Sequence, residues 1–191
     1  MGAMLRTTKL VWLLGLGVLG CGESPFASAG TGSIVGDPRF EADCSNGALD
    51  TPVSDCRPEP LQPTGDPYAD CVTRINQLRW ECQCLPPLER WGEAERCADQ
   101  QAEYDSTRAP HSGFRDGICS PRGWAQNECP GWQSTEQVVT GCLQDMWDEG
   151  PGEPYSAHGH YINMTNPGYA RVACGFYQTP DGRLWSVQNF E

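Results

Sequence analysis

The sequence predicts a disulfide-rich α+β domain over residues 66–190. Three observations predict it: helical periodicity in three separate segments, a turn-linked pair of β-rich segments at the carboxyl end, and an even set of ten cysteines within and just ahead of those segments. The first helix opens at Asp66-Pro67, an N-cap followed by proline in the first turn, with Val72, Ile75, Leu78 and Cys82 at helical spacing, and runs to about Glu81. After Leu85-Pro86-Pro87-Leu88, a second helix from about Trp91 to Ser106 sets Ala94, Cys97, Ala98, Gln101, Ala102 and Tyr104 near one stripe. Small residues in that stripe imply close packing. The third helix has a capping box, Ser134 with Gln137, then Val138, Cys142 and Met146 on its buried side, and stops near Gly150-Pro151. A strand is expected around Trp124 to Asn127. Segments 169–178 and 183–190 flank Thr179-Pro180-Asp181-Gly182 and form a β-hairpin.

At 191 residues the chain accommodates one ordinary domain with extensions. Residues 1–21 read as a signal peptide. Arg6 and Lys9 precede an apolar run from Leu10 to Leu19, too short to span a bilayer as a helix. Val18-Leu19-Gly20-Cys21 resembles a bacterial lipobox, which makes Cys21 the lipidation site and places the protein in a bacterial cell envelope, anchored to the membrane. The alternative is simple secretion after cleavage at Ala27-Ser28-Ala29. Residues 22–65, rich in Gly, Pro, Ser and Asp, lack the apolar periodicity that offsets chain entropy and are expected to form a flexible tether, its second half pinned by Cys44 and Cys56, which either close a loop between themselves or attach it to the domain.

Removing residues 1–21 leaves 11 of the 13 basic residues against 25 acidic ones, a formal charge of −14. A phosphate backbone is repelled by such a chain, so nucleic acid is excluded as a partner. Lys9 is the only lysine, which excludes lysine-based catalysis after processing. Either processing route consumes or removes Cys21. Cys44, Cys56, Cys71, Cys82, Cys84, Cys97, Cys119, Cys129, Cys142 and Cys174 then pair as up to five disulfides, with the pairing left open.

All three histidines fall in two segments, Pro110-His111-Ser112 and His158-Gly159-His160-Tyr161, with Trp147-Asp148-Glu149 between them. Imidazole titrates near neutrality and is the commonest metal ligand, so these segments attract a site hypothesis. Adjacency of Ser112 to His111 seldom gives triad geometry. His158 reads as a solvent-exposed loop residue; a strand-borne His-x-His pair with His160 is a lesser alternative. Asn163-Met164-Thr165 matches a glycosylation sequon.

Asn76-Gln77-Leu78-Arg79, the order His-Ser, Gln-Asn, Trp-x-Glu and Gly-His-Tyr, then Val172-Ala173-Cys174-Gly175 and Gln188-Asn189-Phe190, together resemble the CAP superfamily of cysteine-rich secretory, antigen 5 and pathogenesis-related-1 proteins. The resemblance implies a three-layer α-β-α sandwich around a small antiparallel sheet. It also implies a central cleft of two histidines and two acidic residues, sometimes around a divalent metal such as zinc. Carried over, His111 and His160 are the cleft and metal histidines, and Glu149 is the acidic member, with Asp148 as fallback because Trp147-Asp148-Glu149 is one residue shorter than Trp-x-x-Glu. Gln126 replaces the first glutamate. An amide orients a histidine but cannot act as general base, although Glu128 shares its face if the segment is a strand.

The resulting expectation is an extracytoplasmic binding or interaction module without established turnover. The resemblance allows a lipid or sterol, a polysaccharide, a peptide surface or a divalent metal as ligand. One alternative is a metal-dependent hydrolase or protease, with zinc on His111 and His160 and Glu149 as the candidate catalytic base; another is a structural envelope protein with a vestigial cleft.

Overall fold

The computed structural model describes Phe40 and residues 42–191. The signal segment, Cys21 and the first part of the tether lie outside the described residues. The elements are α1 (Pro67–Gln83), β1 (Glu89–Arg90), α2 (Gly92–Asp105), α3 (Ser112–Asp116), β2 (Ala125–Trp132), α4 (Thr135–Gln137), α5 (Leu143–Asp148), α6 (Tyr155–Thr165), β3 (Arg171–Gln178) and β4 (Leu184–Phe190), with a π-helical turn, Val138–Cys142, joining α4 to α5. No helix among the described residues is long and apolar enough to cross a membrane.

Local chemistry accounts for the helix ends. The Asp66 carboxylate accepts from the N–H groups of Tyr68 and Ala69 at the start of α1. Ser134 accepts from Gln137 N–H at 3.1 Å, while the Gln137 side chain takes the N–H of Gln133 instead of that of the cap. Where one helix was expected from Ser134 to Gly150, the π-turn interrupts it. The Cys129–Cys142 disulfide fixes that turn, and the Trp132 ring lies against Gly141, where a Cβ would stand 2.7 Å from the ring.

The sheet order is β1-β3-β4-β2. β3 pairs antiparallel with β4, and β4 with β2, but β1 joins β3 in parallel, so the expected antiparallel sheet is mixed. The reason lies in the link after α1. Asn76 brackets Leu88, donating to its carbonyl at 2.8 Å and accepting its N–H at 2.7 Å. Arg79 donates to Pro86 O and Met164 O. This clamp lays Glu89 and Arg90 along the outer side of β3.

Strand alternation sorts the layers. Val172, Cys174 and Phe190 face α1, α5 and α6, joining Ile75, Leu78, Leu143, Met146, Trp147 and Met164 in the main apolar core. Ala173 and Val187 face α2, where Trp91, Ala94, Ala98 and Ala102 meet them in two small clusters. Gly175 allows the closest approach: a Cβ there would lie 2.3 Å from the Ala98 carbonyl carbon. These layers form the three-layer α-β-α sandwich.

All ten expected cysteines pair, as Cys44–Cys84, Cys56–Cys82, Cys71–Cys174, Cys97–Cys119 and Cys129–Cys142. Two of these pairs fasten the described part of the expected tether to the end of α1. The N–H groups of Leu49 and Val53 also bond the carbonyls of Gln83 and Cys82, and Gln77 Nε2 reaches Glu59 O. Residues 44–65 therefore form a strap against the domain instead of a free linker.

Candidate functional site

His111 caps the short helix α3 with a left-handed backbone, φ 64°. That conformation is costly for a side chain bearing a Cβ and persists only where neighbours enforce it. Its N–H donates to Glu128 Oε1 at 2.7 Å, its carbonyl accepts Arg115 N–H, and its Nδ1 lies 2.9 Å from Gln126 Oε1. The Gln126 amide nitrogen donates to Gln101 Oε1 and Asn189 Oδ1, so its oxygen must accept from His111. The ring is thereby held as the Nδ1–H tautomer, with Nε2 carrying the lone pair.

His160 is held the same way. Its Nδ1 donates to Glu149 Oε1 at 2.5 Å, and its backbone N–H donates to Glu149 Oε2 at 3.0 Å. Glu149, at the end of α5, is thus the acidic partner. The fallback Asp148 pairs instead with Arg57 and accepts from Gln144. A carboxylate bonded to Nδ1 fixes the tautomer and the orientation of the imidazole. The two imidazole side chains are 45% and 36% exposed, accessible yet backed by the protein.

β2 links the two pairs. Gln126 and Glu128 project toward α2 and hold His111, while Asn127, on the opposite face, donates to His160 O at 3.0 Å. Asn163 of α6 donates to Asn127 Oδ1 and Gln126 O. Both histidine segments therefore adjoin the same three residues of β2, one from each face.

Glu128, 4% exposed, also accepts Trp185 Nε1–H at 2.9 Å. Burial and the neighbouring Asp105 push its carboxyl up to about 8. Asp105 accepts Gly113 N–H through Oδ1, and its buried Oδ2 has no other partner among the described residues, which leaves it placed to accept the Glu128 proton. Sequence reading missed Asp105, although it continues the stripe Ala94, Ala98, Gln101 on α2. Tyr104, assigned to that stripe, turns outward to Asp116.

The remaining expectations resolve individually. His158 is neither loop nor strand: it lies in α6, and its Nδ1–H donates to Glu149 O and Gly150 O, tying α6 to the end of α5. Two positions apart on a helix, His158 and His160 point in different directions. Ser112 is buried, its hydroxyl accepting from Arg115. Trp147 and Tyr161 are core residues in edge-to-face contact. Asn163 is buried and doubly bonded, not presented as a glycan acceptor. Among the described residues no group of three or more His, Cys, Asp and Glu is arranged to hold a metal. Glu149 orients a histidine and Glu128 is buried, so the donors open to a cation are the two Nε2 atoms. A cavity of about 410 Å³ lies elsewhere, between residues 59–65, α1 and α4, lined in part by Glu59, Asp70, Arg74, Glu136 and Val139.

The sequence matches the cysteine-rich secretory protein family, CAP, over residues 72–190, and the chain belongs to that family. CAP proteins are usually extracellular, and membership together with five disulfides points to export. Among solved structures the chain is similar to BmVAL-1, at 17% identity and a TM-score of 0.47, covering 72% of this chain and 81% of that one. No curated protein sequence matches.

Proposed function

We propose that this protein is an extracytoplasmic binding module whose site is a cleft formed by His111, Gln126, Glu149 and His160 around the end of β2. The observation that carries the reading is the pair of Nδ1-anchored imidazoles, each turned so that Nε2 is left for a ligand. Binding is favoured over turnover by the surroundings: Gln126 cannot accept a proton as a base, Glu149 is engaged by His160, and Glu128 is buried with its proton. The ligand classes are a lipid or sterol, a polysaccharide, a peptide surface, or a divalent ion. Zinc would be held by two imidazoles and water, a weak and exchangeable set. Acylation of Cys21 would keep the module at the membrane of a bacterial envelope.

Calorimetric zinc titration tests the site. Wild type is expected to bind and the His111→Ala/His160→Ala double variant not; equal binding by both discards the metal ligand. Mass spectrometry of the mature amino terminus tests the anchor, and an unmodified start at Gly30 would refute it. A second reading, a metal-dependent hydrolase with Glu149 as base, requires chelator-sensitive turnover of peptide or ester substrates that disappears in Glu149→Gln.

A further inference from the structure

The cavity of about 410 Å³ has the strap as one wall, with α1 and the segment that begins at Thr135 as the others. Two separate sets of contacts build that wall. Cys56 is bridged to Cys82, and the carbonyls of Cys56, Pro58 and Glu59 accept from Gln144 Nε2, Arg74 Nη1 and Gln77 Nε2 at 3.1, 2.8 and 2.8 Å. Farther along, Thr64 donates its N–H and its hydroxyl to Asp70 Oδ1 at 2.9 and 2.7 Å, closing the strap onto α1. Residues 60–63, between these fastenings, make no hydrogen bond among the described residues. The wall is thus fixed at both ends and can yield in the middle to admit a ligand.

Arg74 lines the cavity and is 3% exposed, yet no carboxylate bonds it. Pro58 O, Gln77 Oε1 and Gln144 Oε1, all neutral, take three of its five N–H groups at 2.7 to 2.8 Å. Nε–H, on the edge of the guanidinium shared with Nη2, is buried without a partner. Burial pulls the Arg74 pKa down, and the charges of Glu81, Glu59 and Asp148 oppose that only from a distance. An unfilled guanidinium edge is shaped for a carboxylate, and a buried donor left unpaired is costly. Charges of the other sign share the lining. Glu59 and Glu136 are exposed, and their carboxylates have no hydrogen bond or ion pair among the described residues.

We propose that this cavity binds a short peptide with both ends free, its carboxylate on the Nε edge of Arg74 and its ammonium at Glu59 and Glu136. The site is separate from the histidine cleft and does not depend on it. A cation alone would leave Arg74 unpaired. An anion alone would meet the carboxylates of Glu59, Asp70 and Glu136 against one guanidinium, whereas a molecule with one charge of each sign matches both halves of the lining. Pro60, Leu61 and Val139 give its side chains an apolar wall, and the volume falls in the range of about 300 to 1,000 Å³ of small-molecule sites.

The test titrates the full chain by calorimetry with Leu-Leu and Ala-Ala, with Leu-Leu blocked at its amino end by acetylation or at its carboxyl end by amidation, and with hexanoate. A free dipeptide is expected to bind, each block should weaken binding about tenfold, and hexanoate should bind more weakly than the free dipeptide. Arg74→Lys, which keeps the charge and loses the Nε edge, should weaken binding by a similar factor. Because Arg74 is buried, the exposed double variant Glu59→Gln/Glu136→Gln gives a second reading: it should fold as wild type and lose the preference for a free amino end. In the NMR spectrum of wild type the Arg74 Nε–H resonance should move on saturation. Binding of neither dipeptide, equal binding of the blocked forms, hexanoate binding as tight as that of Leu-Leu, or an unmoved Arg74 resonance each overturns the inference.

Discussion

The two faces of the sheet are held by different physics. Toward α1, α5 and α6 lies a continuous apolar core in which Ile75, Leu78, Leu143 and Met164 are fully buried. Toward α2 the apolar contacts are made by alanines, a valine and one tryptophan, and the interior behind them is polar: Gln101, Asp105, Gln126, Glu128 and Asn189, joined by hydrogen bonds. A face built from backbone proximity and amide networks is directional, and it can aim a side chain such as His111 with a precision that apolar contact alone does not supply.

The sharpest way to break the contrast is at the apolar face. The Cys71–Cys174 bridge spans 103 residues, and replacing both cysteines with alanine should cost about 4 to 5 kcal/mol, against about 3 for Cys97–Cys119 beside α2, which spans 22. Thermal and urea unfolding of the two variants measures the difference. Leu143→Ala should cost about 2 to 5 kcal/mol through lost burial and a cavity. On the α2 face the opposite change is the damaging one: Gly175→Ala forces a methyl into the Ala98 backbone and should cost about 1 to 3 kcal/mol. A neutral result there would mean that α2 packs less closely than described.

A pH series sharpens the polar side. The Glu128 carboxyl is raised from its usual 4.5 to about 8, so between those values the folded chain keeps a proton that the unfolded chain has lost. Unfolding releases it, and stability therefore falls as pH rises through that window. Glu128→Gln should flatten this slope, and its melting temperature relative to wild type should be higher at pH 8 than at pH 5. The smallest stability effect is expected at the site itself. His160→Ala, at a partly exposed side chain, should change unfolding by only about 0.5 kcal/mol while weakening ligand binding, which separates recognition from folding.

Much of the scaffold was legible because its signals are local. Pro67 after an N-cap, the Ser134 cap and the Pro180-Asp181-Gly182 turn each declare an element within a few residues, and the structure has α1, α4 and the β3–β4 hairpin there. The α6 helix was not legible. Tyr155 to Thr165 has no side-chain cap and carries Gly159, and it is helical because Tyr161 and Met164 are buried against the core. The site was legible in part. The Gly-His-Tyr pattern and the acidic segment marked His160 and Glu149, but Asp105, 23 positions from Glu128, gives no local sign of the partner it meets.

By itself the sequence determined the helices with caps, the hairpin and the complement of paired cysteines, because each follows from periodicity, turn chemistry or count. Tertiary structure alone decided which cysteines pair, that Glu149 and not Asp148 holds His160, that residues 44–65 lie against α1, and that β2 carries a histidine on each face. Those outcomes depend on contacts between residues 11 to 103 positions apart. Their energies arise only when the layers close, and no short window of sequence contains them.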